Sequence, residues 1–276
     1  MFKVIFLIVL AVIWMVVAIV QDLKRREVAN WISFSLIIFA LGFRFFWSLF
    51  YGVDLGEGFS FFYQGLIGFG IFFLVGNFFY YSRIFAGGDA KLMISLGAIL
   101  PFYNTFSDNV FVFITFVFAF LISGAVYGLL SSFFLAFNHR KEFNKEFRKQ
   151  FNKKKKILYI LFAFGILIFT LGFYLNILFV IGIFIFFIPY LYLFAKSVDE
   201  ACMIKLVSAD KLTVGDWLYS DVRIGKNLIK KDWNGLDEKE INMIKKSNKS
   251  VLIRTGIPYT PVFLVAFIIL VYVLFN

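Results

Sequence analysis

The stretch FKVIFLIVLAVIWMVVAIVQDLKRREVAN, residues 2–30, decides the fold. Residues 2–20 are apolar apart from Lys3, and a helix of about 20 such residues covers the hydrocarbon core of a bilayer. At Gln21 the chemistry changes: Asp22, Lys24, Arg25, Arg26 and Glu27 follow in quick succession. No small-residue cleavage site separates the run from the charges, so it reads as a retained span and not as a signal peptide. Asn30 then opens a second apolar run and has the chemistry of a helix N-cap.

Working outward, the same alternation recurs. Apolar runs lie near residues 61–81, 110–137 and 258–275, with two more inside 157–196 broken near Asn176. A short helix is expected at 89–100, stopped by Pro101. Hydrophobic residues make up 61% of the chain and charged ones 16%, against the ~25% charged of a soluble domain. Phenylalanine alone supplies 42 of 276 residues, a hazard in water and at home against lipid. The expected fold is an all-α integral membrane protein, a polytopic helical bundle of about six to eight spans with a small polar segment.

The expected organisation is a membrane domain over 1–137, a basic loop at 138–156, membrane helices at 157–196, a polar segment at 197–255 and a last span at 256–276. The polar segment carries turn signals at Val214-Gly215-Asp216 and Asn234-Gly235, and one short helix near 237–246. The net charge of +11 sits in the stretches between apolar runs, where it orients a membrane protein. No docking motif for nucleic acid accompanies it. Lys24 to Arg26, Arg83 with Lys91, Lys153 to Lys156 and the 197–255 segment all fall on one side if the N-terminus is outside. That side is the cytoplasm by the positive-inside rule, and the basic 138–156 stretch then attracts anionic lipid.

This topology puts Asp22 and Asp89 at one depth, at the cytoplasmic ends of two apolar segments. Asp89 follows Gly87 and Gly88, which permit close backbone approach. Two carboxylates in a low-dielectric site cannot both ionise cheaply, so such a pair holds one proton. The ionised member can activate water and the protonated one can polarise a carbonyl. The same residues also suit plain roles, a solvated loop for Asp22 and a helix N-cap for Asp89. Asp199 and Glu200 form a second candidate pair. Other hydrolytic chemistries lack parts. His139, the single histidine, lies among cations, and Cys202, the single cysteine, excludes an intramolecular disulfide and a multi-cysteine zinc site. No HExxH is present, and Ser123-Gly124 suits helix packing. No metal or cofactor is expected.

Around both aspartates the sequence resembles the type IV prepilin and preflagellin peptidases, a GxGD aspartic protease family. Asp22-Leu23-Lys24-Arg25-Arg26-Glu27-Val28-Ala29-Asn30 matches the first aspartate block, with Ala29 where the family usually has proline. Ala86-Gly87-Gly88-Asp89-Ala90-Lys91-Leu92 matches the second, with Ala86 at the first glycine. Lys211 to Trp217 and Arg254 to Pro261 are similar to the polar insert and final span of archaeal members. The resemblance implies an aspartic endopeptidase that cuts the short basic leader from pilin-like or flagellin precursors at the cytoplasmic membrane face. It implies Asp22 and Asp89 as the catalytic pair, supported by Gly87, Gly88, Lys91 and Asn30. The bacterial branch also methylates the new N-terminus, and this chain has neither its cysteine-rich insert nor a nucleotide-binding glycine motif. The competing readings are a presenilin-like protease cutting inside the bilayer, a transporter using both aspartates as proton or ion ligands, and a membrane scaffold.

Overall fold

The computed structural model describes residues 2–52, 54–225 and 227–276. The chain divides into two compact units, Met1–Gly128 with Pro258–Asn276, and Leu129–Ile257.

In the first unit the apolar runs become helices: α1 (Phe2–Arg25), α2 (Asn30–Trp47, extended by a π-helical turn over Ser48–Gly52), α3 (Ser60–Tyr81), the short α4 (Gly87–Gly97), the first part of α5 (Phe106–Asn138) and α9 (Pro261–Phe275). Helix is the default here because a backbone in lipid must satisfy its own hydrogen bonds. One continuous core joins Leu7, Met15, Ile32, Leu36, Phe72, Leu92, Leu96, Phe116, Phe120, Phe263 and Phe267. The outward faces carry exposed Phe, Ile, Val and Leu, as Ile38, Leu74, Phe118 and Ile268 illustrate. That inversion fits a lipid-facing surface.

Two devices fix α4 in place. Against α3, close approach depends on small residues: a Cβ at Gly68 would lie 2.5 Å from the Gly97 carbonyl oxygen, and one at Gly97 2.6 Å from that of Gly68. The other device is Arg44 of α2, fully buried. Its Nε donates to Ala98 O at 2.9 Å, Nη1 to Phe61 O at 2.9 Å, and Nη2 to Ile99 O at 3.0 Å and Pro101 O at 2.5 Å. The guanidinium thus closes the carbonyl end of α4, the end that a helix leaves unsatisfied and partially negative. Far along the sequence from Asp22, Lys3 at the start of α1 donates to Glu57 Oε2 at 2.6 Å and to Asn104 Oδ1 at 3.1 Å.

The second unit contains the rest of α5, then α6 (Arg140–Leu171) and α7 (Ile177–Cys202), with the polar segment after them. Of the stretch 138–156, expected as a loop, Asn138 ends α5 and residues 140–156 form the first half of α6. Its Lys, Arg, Glu and Gln residues are good helix formers, and Glu146 pairs with Lys149 at 3.0 Å one turn on. In the polar segment, β1 (Ile204–Val207), β2 (Trp217–Leu218) and β5 (Val251–Arg254) form an antiparallel sheet in the order β1-β5-β2. The strands β3 (Val222–Ile224) and β4 (Asn227–Ile229) pair in a hairpin. The helix expected near 237–246 is α8 (Glu238–Lys246), opened by a capping box between Asp237 and Glu240. Both turn signals carry left-handed glycines, Gly215 (φ 93°) and Gly235 (φ 74°). Ile241, Ile244, Val251, Ile253 and Leu218 make a separate small core.

Among the described residues, five helices are long and apolar enough to cross a membrane: Phe2–Arg25, Asn30–Gly52, Ser60–Tyr81, Phe106–Asn138 and Ile177–Cys202. The chain is a polytopic helical membrane protein. The count lies below eight because α4, α9 and the apolar half of α6 are each shorter than a full crossing.

Candidate functional site

Asp22 occupies the last turn of α1 and is buried. The helix ends there because Arg26 turns left-handed (φ 55°), its N–H bonding the Asp22 carbonyl at 2.7 Å. The chain then folds back, and the Ala29 N–H donates to Gln21 Oε1 at 2.8 Å. This tight return starts α2 and brings Val28 against α4. A Cβ added at Gly88 would stand 3.3 Å from Val28 Cβ and 3.4 Å from Val28 N. Gly88 therefore lets the first turn of α4 approach the turn after Asp22.

Asp89 is in that first turn and not at the N-cap, which is Ala86. Its carboxyl is partly buried and is pushed up to about 7. Burial is the largest cause and the charge of Asp22 the next, while a hydrogen bond with the Ala86 backbone pulls the other way. The interaction with Asp22 places both carboxyls in one electrostatic environment, one half-titrated near neutral pH. Such a pair can present a base and an acid together.

Three further residues complete the surroundings. Thr260, the N-cap of α9, donates through Oγ1 to Asp22 Oδ2 at 2.8 Å, and its backbone N–H approaches the same oxygen at 3.4 Å. Thr260 is 1% exposed, so this contact is shut off from water. Tyr259 lies within electrostatic reach of Asp89; burial first and that charge second push its phenol up. Its ring packs on Phe85 and Phe120, and Tyr127 Oη donates to Pro258 O at 2.9 Å. The residue pair just before α9 is thereby set against the aspartates. Neither Thr260 nor Tyr259 was a sequence candidate.

The supporting residues divide. Gly88 makes the close approach, whereas a Cβ at Gly87 would meet only Tyr80, at 3.9 Å. Asn30 does not cap α2: the N-cap is Ala29, with no side-chain cap bond, and Asn30 is the first helical residue. Its Oδ1 accepts from Lys91 Nζ at 2.6 Å. Lys91, exposed on α4, is thus turned towards Asn30, and the charge acting on Asp89 is that of Asp22.

The second carboxylate pair has a structural employment. Lys196 reaches Asp199 at 3.8 Å and Glu200 at 2.7 Å, and Arg254 reaches them at 3.2 Å and 3.5 Å. Tyr219 Oη also donates to Glu200 at 2.8 Å. These bonds fasten the end of α7 to β5 and the segment after β2. Among the described residues, no three His, Cys, Asp or Glu side chains gather as a metal site. His139 is exposed at the start of α6, and Cys202 is buried beside Ala136 and Val198.

A polytopic membrane protein with two electrostatically coupled aspartates on neighbouring helix ends is the class that fold and site define. Comparison narrows it. Residues 9–129, which carry both aspartates, match the model of the type IV leader peptidase family. The chain is similar to the preflagellin peptidase of Methanocaldococcus jannaschii, 31% identical over 96 residues, covering 35% of this chain and 38% of that one. It is also similar to the preflagellin peptidase of Methanococcus maripaludis, 30% identical over 93 residues, covering 34% and 38%. The chain thus spans 38% of the length of each of these relatives. No solved structure matches it.

Proposed function

We propose that this protein is an aspartic endopeptidase that removes the short basic leader of flagellin-like or pilin-like precursors at the cytoplasmic membrane face. The observation that carries the reading is the coupling of Asp22 with Asp89, whose carboxyl sits near 7, within the segment shared with the leader peptidases. The match to the leader-peptidase model supports peptide-bond hydrolysis, and the relatives' names support a flagellin precursor as substrate. The orientation rests on the basic residues Lys24, Arg25 and Arg26 directly after Asp22.

The ionised carboxylate takes a proton from a water molecule as its oxygen attacks the scissile carbonyl carbon. The protonated carboxyl gives its proton to the carbonyl oxygen, and a gem-diol forms. The first carboxyl, now protonated, delivers its proton to the amide nitrogen, the C–N bond breaks, and a diol proton returns to the second. Atoms and charge balance without metal or covalent intermediate. Cleavage is proposed without methyl transfer.

The test is incubation of detergent-purified protein with a precursor bearing a Lys/Arg-Gly leader, read by gel shift and N-terminal sequencing. Wild type should cut just before the hydrophobic stretch. Folded Asp22→Asn and Asp89→Asn should each be inactive. A single variant cutting at the wild-type rate would remove that residue from the mechanism. Absence of wild-type cleavage, together with proton flux in liposomes, would favour the transporter reading instead.

A further inference from the structure

We propose that Thr260 is the positioning residue that divides the labour of the pair: it holds Asp22 as the carboxylate that activates water and leaves Asp89 to carry the proton. The proposal rests on the peptidase reading above and deepens it.

Thr260 Oγ1 is 2.8 Å from Asp22 Oδ2, and Thr260 N is 3.4 Å from the same oxygen. A hydroxyl can donate or accept, but a backbone N–H can only donate. An oxygen approached by both is best satisfied as a carboxylate, because a hydrogen bond to the charged form favours that form. Thr260 is also the N-cap of α9, a helix of 15 residues, whose N-terminus carries partial positive charge. Asp89 has a different environment. It sits partly buried beside Asp22, with the Ala86 backbone as its counterweight. A negative charge on Asp22, once fixed, keeps its neighbour protonated.

The other charged groups in the neighbourhood do not reverse this asymmetry. Lys24 and Arg25 are exposed on the last turn of α1, and Arg26 follows them. Lys91 on α4 is engaged with Asn30 of α2. Tyr259, beside Thr260, is pushed up by burial and by Asp89, which keeps it neutral. The contact joins residues 238 positions apart, so α9 acts as part of the site and not merely as an anchor.

The first test needs no substrate. Protein labelled with carbon-13 at aspartate carboxyls is titrated in detergent, and the two signals are assigned by their loss in Asp22→Asn and Asp89→Asn. Asp22 should lose its proton at lower pH than Asp89; the reverse order overturns the proposal. The second test compares Thr260→Val, which deletes the hydroxyl, with Thr260→Ser, which keeps it. Loss of one charge-assisted hydrogen bond should move the acidic limb of the kcat profile up by about one pH unit and lower kcat about tenfold, with KM changed less than about twofold. Thr260→Ser should restore both. A folded Thr260→Val with the wild-type limb and kcat overturns the proposal. If wild type cleaves nothing, the peptidase reading fails alone, and the same carboxyl titration repeated on Thr260→Val decides the role of Thr260: an unchanged Asp22 signal overturns it.

Discussion

Lys91 Nζ donates to Asn30 Oδ1 at 2.6 Å, tying the beginning of α4 to the first residue of α2. The bond holds together the two segments that follow the aspartates. Because it spans an exposed cation and a neutral amide, its removal should cost about 0.5–1.5 kcal/mol. Lys91→Met and Asn30→Ala should each reduce cleavage a few-fold, and the double variant should be no worse than the poorer single one. A double-mutant cycle on cleavage rates reads this directly. Fully additive losses would mean that the two side chains act separately.

Arg44 should prove indispensable to the fold. Replacing it with methionine removes the guanidinium donors from the carbonyls of Phe61, Ala98, Ile99 and Pro101 while keeping a long apolar side chain. Each abandoned acceptor costs about 1–3 kcal/mol, so Arg44→Met should lower thermal stability severely. Arg44→Lys should rescue little, since one ammonium cannot reproduce the planar fork that reaches Phe61, Ala98, Ile99 and Pro101. Melting curves in detergent test both variants. A lysine variant as stable as wild type would show that charge alone suffices.

The second carboxylate pair gives a contrasting expectation. Asp199→Asn and Glu200→Gln should keep cleavage within about twofold of wild type, because both side chains are spoken for by Lys196 and Arg254 in half-buried ion pairs that fasten α7 to β5. Leader cleavage at saturating precursor is the readout. Loss of activity in either variant with its fold intact would move the catalytic assignment away from Asp22 and Asp89.

Gly124 connects packing to the site. A Cβ there would lie 1.8 Å from Tyr259 Oη and 3.0 Å from Cζ, so alanine must displace the tyrosine that precedes Thr260. Gly124→Ala should therefore lower kcat about tenfold or more, as small misplacements near a reacting centre do, while far-ultraviolet circular dichroism stays unchanged. Wild-type kcat would show that Tyr259 can move without disturbing Thr260.

What the sequence made legible follows from the reach of its signals. Asp22 and Asp89 stood out because each is an acid at the end of an apolar segment, on the side that the cations mark. Thr260 gave no comparable signal. Its hydroxyl is uncharged, and its partner is at the other end of the chain. The Thr260-Pro261 pair does mark a helix start, which would have placed its donors at a span end. Arg44 carried a clear signal, a lone cation inside an apolar run, but its carbonyl partners depend on how α2, α3 and α4 meet. The charge of the 138–156 stretch suggests a solvated loop, whereas the helix propensity of its Lys, Arg, Glu and Gln residues carries α6 through residues 140–156. The β1-β5 pairing joins Ile204–Val207 to Val251–Arg254, and strands that short carry too little periodicity to announce a distant partner.

The pH dependence of stability follows from Asp89. The carboxyl sits at about 7 in the folded protein against an ordinary value of 3.8. The folded state therefore binds this proton more tightly than the unfolded chain does, so stability falls as pH rises between those values and levels off above about 7. The full span corresponds to at most roughly 4 kcal/mol. Glu57 acts in the opposite sense: burial pushes it up, but the hydrogen bonds with Lys3 and Asn104 prevail and hold it below its ordinary 4.5. Its contribution is lost only as pH falls through that lower range, which lies outside a window of pH 5 to 8. Wild type should accordingly melt at lower temperature at pH 8 than at pH 5. Asp89→Asn, which keeps shape and removes the charge, should flatten this dependence and be the more stable protein at pH 8. The same proton sets the alkaline limb of cleavage, which should fall with a midpoint near 7 in wild type. A wild-type melting temperature constant across the window would mean that Asp89 is solvated enough to ionise freely, and the acid assigned to it would then have to be sought elsewhere.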